Sequence, residues 1–150
     1  MRAYCYFGPT HRLDGPPFMV FNALRRLSGV DAFHYECHGD PRLFGRADLH
    51  VAVDWAEDAM GFGSFIEPRP LAYWMSDTHI SEEGRAFRFR KATRADRVFC
   101  SIWSDPERLK AAGVTATWLP YAAEPLIWKP RPEIQQTRDV GFVGHYANYP

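Results

Sequence analysis

The chain alternates short apolar runs of strand length with segments that have the periodicity of helices. Residues 70–75 form one such run, a polar group follows at residues 76–79, and Ser81 with two glutamates then begins a helical pattern. A strand followed by a crossover helix places the next strand parallel to the first. The alternation therefore predicts an α/β fold with a Rossmann-like, doubly wound, mostly parallel sheet.

Seven strands and three helices are predicted from apolar runs, helical spacing and end signals. The strands are expected at residues 3–7, 31–37, 48–55, 70–75, 97–102, 115–119 and 139–144. The first helix follows Pro17, with Val20, Leu24 and Leu27 on one face; the second covers residues 81–96, and the third extends from Ser104 to Gly113. Ser104 and Glu107 have the spacing of a capping box, while Gly29 and Gly113 are typical of helix ends.

Charge and composition exclude some classes of partner. The 150 residues contain 18 basic and 18 acidic side chains, so the formal net charge is zero and a nucleic-acid partner is not expected. The sequence has neither a run long enough to span a bilayer nor a signal peptide, so no integral membrane segment is expected. The three cysteines lie far apart, which is typical of a reduced, cytoplasmic protein.

Prolines divide the chain near its end. Residues 124–138 contain three of them, at Pro125, Pro130 and Pro132, and such a segment is typical of a stiff linker. We therefore expect a Rossmann-like domain at residues 1–123, a linker at 124–138, and the first strand of a truncated second domain at 139–150. On this interpretation the chain is a fragment.

Polar residues follow several of the predicted strands and form the candidate site. If the sheet is parallel, these strand ends share one edge, where α/β folds bind ligands. Asp77 and His79 are the candidate catalytic pair, because together they could take a proton from a hydroxyl group; alternatively, Asp77 caps a turn and His79 is partly exposed. The candidate substrate-binding residues are Gly8, Thr10, His11, Asp54 and Thr78.

Other residue patterns have simpler interpretations. His34, Cys37 and His38 do not supply a tetrahedral ligand set, so no metal site is expected. The basic row on the second helix, at Arg85, Arg88 and Lys91, is interpreted as a solvated outer face. The five tryptophans are interpreted as core residues, although one or two near the site could stack on a sugar ring.

The second half of the chain resembles a known family. The blocks at residues 70–77, 95–100, 118–122 and 139–144, in this order, are similar to the GT-B glycosyltransferases of group 1, in the branch of spore-maturation-type proteins. The resemblance covers residues 68–150, whereas the first half fits only by its β-loop-α layout. It implies two Rossmann-like domains that face each other across a cleft.

The resemblance also implies a function. The N-terminal domain would bind a hydroxyl acceptor and the C-terminal domain a nucleotide-sugar donor, with Gly144 and His145 near the donor phosphates. Transfer would be retaining and metal-independent, with the nucleotide-sugar as co-substrate and no other cofactor. Most of the donor domain is missing from these 150 residues, so the chain alone is expected to be inactive. The alternative is a complete, non-catalytic α/β module that binds a ligand or partner, with residues 139–150 completing its own sheet.

Overall fold

The computed structural model describes residues 1–7, 16–36, 47–53, 69–76, 78, 81–122, 132, 133, 135 and 137. Within these residues, six strands and three helices alternate along the chain. Their bounds are β1 (Arg2–Phe7), α1 (Pro16–Arg25), β2 (Asp31–Glu36), β3 (Leu49–Val53), β4 (Leu71–Met75), α2 (Glu82–Ala92), β5 (Arg97–Cys100), α3 (Asp105–Ala111) and β6 (Ala116–Trp118).

The six strands form one sheet in the order β2-β1-β3-β4-β5-β6, and every neighbouring pair is parallel. The predicted Rossmann-like, doubly wound parallel sheet is therefore confirmed. From β1 the chain moves outward to β2, then crosses to the other side of β1 and continues from β3 to β6. This reversal places a topological switch point between β1 and β3, where open α/β sheets form their ligand crevice.

Helices cover both faces of the sheet. On one face, α1 packs through Phe21 onto a cluster that includes Val51, Val53 and Trp74. On the other face, Ala92 of α2 and Leu109 of α3 belong to a second buried cluster. All five residues of β4 are buried, as expected for a central parallel strand that is covered on both sides.

Helix α2 begins where the sequence predicts and ends earlier. The Ser81 hydroxyl accepts a hydrogen bond from the Gly84 amide at 3.0 Å, which caps the first turn. The helix ends at Ala92, so the predicted end at residue 96 is wrong. Asp96 instead joins the sheet: its amide donates to the Leu71 carbonyl, and its Oδ2 accepts from the Leu71 amide at 2.8 Å. That backbone hydrogen bond, together with the Arg69 guanidinium, lowers the pKa of Asp96.

Local predictions about the ends and faces of the three helices have different outcomes. The capping box at Ser104 is wrong, because Ser104 has helical backbone angles and its side chain makes no capping hydrogen bond. Gly113, with a positive φ of 76°, lies just past α3 and is confirmed as its stop. Gly29 also has a φ of 76°, but α1 already ends at Arg25, so the predicted stop at Gly29 is wrong. The solvated basic face is wrong for Arg88, which is buried and donates from Nη1 to the Gly84 carbonyl at 3.1 Å.

Most predicted strand ends differ from the observed ones by one or two residues. The largest described difference is at β5, which stops at Cys100 instead of residue 102 because Ser101 already begins the turn into α3. The predicted strand at 139–144 lies outside the described residues, and so does the linker at 124–138 apart from residues 132, 133, 135 and 137. The division into domains therefore stays a prediction.

Candidate functional site

The carboxyl ends of β1, β3 and β4 lie side by side at one edge of the sheet. Tyr6 is paired with Ala52 and Ala52 with Tyr73, so the three strands end at nearly the same level. With neighbouring strands about 4.8 Å apart, the ends of β1 and β4 are about 10 Å from each other. Gly8 follows β1 directly and Asp54 follows β3 directly in the sequence. The three chain segments that carry the candidate site thus leave the sheet from adjacent positions.

Most candidate site residues lie outside the described part of the chain. This applies to the acceptor-side candidates that follow the three strands and to both donor-side candidates. The residues concerned are Gly8, Thr10, His11, Asp54, Asp77, His79, Gly144 and His145. Their roles stay predictions, and Thr78 is the candidate whose surroundings can be stated.

Thr78 is fully buried between β4 and α3. Its hydroxyl donates to Oδ2 of Asp105 at 2.5 Å, and Asp105 is also fully buried. The other carboxylate oxygen, Oδ1, lies 3.5 Å from Nη1 of Arg108. With no exposed surface, the Thr78 hydroxyl holds the segment after β4 against the start of α3. Thr78 therefore has a structural role at this edge of the sheet. Direct contact with a substrate would require its side chain to become exposed.

The residue after β5, Ser101, is joined to β4 and β6 by hydrogen bonds to its amide and carbonyl groups. The Ser101 amide donates to the Met75 carbonyl at 3.1 Å, and the Ser101 carbonyl accepts from Nε1 of Trp118 at 3.3 Å. Ser101 is about nine-tenths buried, and within the described residues its hydroxyl has no hydrogen-bond partner. These contacts fix the edge on the side of β5 and β6.

Three titratable side chains are buried within the sheet, and for the two cysteines the pKa opposes a reactive role. Burial raises the pKa of Cys5 and Cys100 to about 12, so both thiols stay protonated at neutral pH. Burial lowers the pKa of His50, which lies in β3 and stacks on Tyr4 with ring centroids 6.1 Å apart. These three groups belong to the core, and the proton transfer expected at the edge remains assigned to Asp77 and His79.

An apolar cavity of about 430 Å³ lies on the sheet face beside α1. We call it the α1 groove. One wall is α1 with the residues just after it, the floor includes Ala72, Trp74 and Phe99, and the opposite wall is residues 119–122. Nε1–H of Trp74 donates to the Leu119 carbonyl at 3.0 Å, and Tyr121 meets the Trp74 ring edge-on at a centroid distance of 5.2 Å. These contacts hold the far wall in place.

Not all tryptophans are core residues. Trp74 is buried as predicted, but Trp103 and Trp118 are 77% and 54% exposed, so the core interpretation is wrong for these two. Trp118 ends the edge strand β6, and Trp103 lies in the turn between β5 and α3. Within the part of the chain that the structure describes, neither position has a neighbouring strand on both sides. Trp55 and Trp128 lie outside the described residues.

Sequence reasoning did not find the α1 groove. The small residues Ala23 on the helix and Ala72 on β4 leave space between α1 and the sheet. Alanines are common in apolar segments, however, so their presence in the sequence does not indicate a cavity. The groove exists because α1 lies over one end of the sheet and residues 119–122 lie over the other.

The described residues contain neither a membrane-spanning helix nor a metal-binding cluster. No helix among them combines the length and apolar character needed to cross a bilayer. They also contain no group of three or more His, Cys, Asp or Glu side chains arranged to hold a metal ion. No family model, curated protein or solved structure matches the chain.

Proposed function

We propose that this chain is the acceptor-side part of a glycosyltransferase that moves a sugar from a nucleotide-sugar to a hydroxyl acceptor. The observation that carries the proposal is the adjacency of β1, β3 and β4, whose carboxyl ends lie level at one sheet edge. Each of these strands is followed in the sequence by candidate site residues. Parallel α/β sheets bind their ligands outside the carboxyl ends of the strands.

In the proposed reaction, Asp77 and His79 remove the proton from the acceptor hydroxyl as it attacks the sugar. Thr10, His11 and Asp54 orient the acceptor. Gly8 has no side chain, so the acceptor can approach the backbone closely at this position. The buried Thr78–Asp105 hydrogen bond anchors the segment that carries the acid–base pair. Gly144, His145 and a C-terminal donor domain would hold the diphosphate with backbone amides and basic groups, without a metal. Retention of configuration is part of the proposal and is based on the resemblance.

The second candidate function is a non-catalytic binding module. The α1 groove favours it because an apolar pocket can bind a ligand without catalytic residues. The two candidates differ in one outcome, which is whether a nucleotide-sugar is consumed.

The test uses protein expressed from its complete reading frame, incubated with UDP-glucose, GDP-mannose or dTDP-rhamnose. Release of the nucleoside diphosphate measures transfer to water, so the acceptor need not be known. We expect release with at least one donor. His79→Gln and Asp77→Asn should each slow it by about 100-fold or more, the usual contribution of general acid–base catalysis. The control is Glu107→Gln, which changes an exposed carboxylate on α3. Consumption of no donor, or full activity in both variants, would refute the proposal.

A further inference from the structure

We propose that the α1 groove binds the apolar part of the acceptor, so that the acceptor is an amphiphile. Its hydroxyl-bearing head would lie at the carboxyl edge of the sheet, and a single acyl, alkyl or prenyl chain would lie in the groove. What happens to the head depends on the proposed function, whereas binding of the apolar chain does not.

The lining of the groove favours apolar ligand groups over polar ones. Apart from Arg26 and Tyr121, the side chains that line it are apolar or belong to Trp74. The indole N–H of Trp74 is already bonded to the Leu119 carbonyl, so this ring presents carbon to the groove. A buried water molecule needs two to four polar partners, and apolar cavities without them bind apolar molecules instead. The groove therefore favours a ligand that has no hydrogen bonds to make.

The size of the groove fits one chain. Its volume of about 430 Å³ is within the range of small-molecule pockets. Along α1, the lining extends from Pro16 to Leu27, which at the rise of an α-helix is roughly 16 Å, enough for about a dozen carbons. A second copy of this chain would need a broad surface of about 800 Å² on each side, whereas this site is a concave slot.

The groove reaches the carboxyl edge of the sheet at β4, the strand that the candidate catalytic pair follows in the sequence. Pro16 is the first residue of α1, at the end of the connection from β1, and Trp74 is the last but one residue of β4. Tyr121 and Ala122 follow β6 at the same edge. A chain in the groove would thus bring its head to the ends of β3 and β4, and Asp77 and His79 follow β4 in the sequence. Arg26 and Leu27 line the other end of the groove, away from this edge.

The experiment measures binding of alkyl glucosides below their micelle concentrations by amide NMR and tryptophan fluorescence. The probes are n-octyl β-D-glucopyranoside, n-hexyl β-D-glucopyranoside and glucose. We expect the octyl compound to shift the amides of Ala23, Ala72 and Trp74. The hexyl compound, which is two methylenes shorter, should bind about fifteenfold more weakly, since each buried methylene contributes about fourfold. Glucose alone should leave these amides unchanged.

Two variants fill the groove from opposite walls, and a third is the matched control. Ala23→Phe on α1 and Ala122→Phe on the far wall should each weaken octyl glucoside binding at least tenfold. Both alanines are exposed, so the fold has room to keep its stability. Ala86→Phe makes the same change at an exposed position in the middle of α2 and should have no effect.

Several outcomes would overturn the proposal. Equal affinity for the hexyl and octyl compounds would show that the apolar chain is not bound. Unchanged binding in both groove variants would place the ligand elsewhere. Self-association that Ala23→Phe abolishes would make the groove an interface between copies, and no binding to protein from the complete reading frame would show that another part of the protein covers it. If binding depends on chain length but no nucleotide-sugar is consumed, the groove proposal stands and the proposed function fails.

Discussion

Replacing Thr78 by valine removes one hydrogen bond from the most buried polar contact of the candidate site. The two side chains have similar shapes, so the change leaves no large cavity. Its main effect is on Asp105, because Oδ2 of this fully buried carboxylate loses the hydroxyl that donates to it. Within the described residues, the other side-chain contact of Asp105, from Arg108 to Oδ1, is long at 3.5 Å and does not replace the lost bond.

The expected loss in the free energy of unfolding is about 2–3 kcal/mol. A buried polar group that loses its partner costs about 1–3 kcal/mol, and a charged group lies at the upper end of this range or above it. Thr93→Val is the matched control: its hydroxyl also donates a hydrogen bond, to the Arg90 carbonyl at 2.6 Å, but it is exposed. Water can replace that bond, so the control should cost about 0.5 kcal/mol or less.

Urea unfolding followed by tryptophan fluorescence measures both variants. With a slope of about 2 kcal/mol per molar urea, Thr78→Val should lower the midpoint by about 1 M. In an Asp105→Asn background, the same threonine change should cost about 1 kcal/mol less, because a neutral amide loses less than a carboxylate does. Equal costs for Thr78→Val and Thr93→Val would refute the claim that this buried bond anchors the edge of the sheet.

Two further predictions concern buried titratable groups. Because burial lowers the pKa of His50 below 6.5, the unfolded chain takes up this proton at a higher pH than the folded one. The free energy of unfolding should therefore fall as the pH drops below 6.5, by up to about 1.4 kcal/mol per pH unit, and His50→Phe should remove this dependence; an unchanged pH profile in the variant would contradict the reasoning. Cys5 and Cys100, whose thiol pKa values are raised to about 12, should be alkylated by iodoacetamide at pH 8 only after unfolding, as mapped by mass spectrometry; labelling of both at the rate of an unfolded peptide would show that they are accessible.

Local signals predicted where most helices begin or stop, because those signals act within one turn of the chain. Ser81 caps α2 through a residue three positions away, and Gly113 adopts a left-handed conformation that depends on its own lack of a side chain. The failures are contacts with distant residues. Asp96 leaves the helical pattern because Leu71, 25 residues earlier, bonds it to the sheet.

The candidate site was predictable only as a set of strand ends. The alternation of strands and helices implied that Gly8, Asp54 and Asp77 follow parallel strands, and the sheet order makes those strands adjacent. No local pattern links Thr78 to Asp105, which are 27 residues apart, or shows that their hydrogen bond is fully buried. A residue's polarity indicates that it can bind something but not whether its partner is a substrate or the protein itself.

By itself, the sequence determined the parallel α/β class, since strand length, helical spacing and glycine stops are properties of short segments. Only the tertiary structure decided which strands are neighbours, which polar groups face inward and where space remains. The α1 groove shows the difference most clearly. Its apolar residues come from α1, three strands and the segment after β6, and hydrophobic patterns specify that such residues avoid water without specifying which surfaces meet.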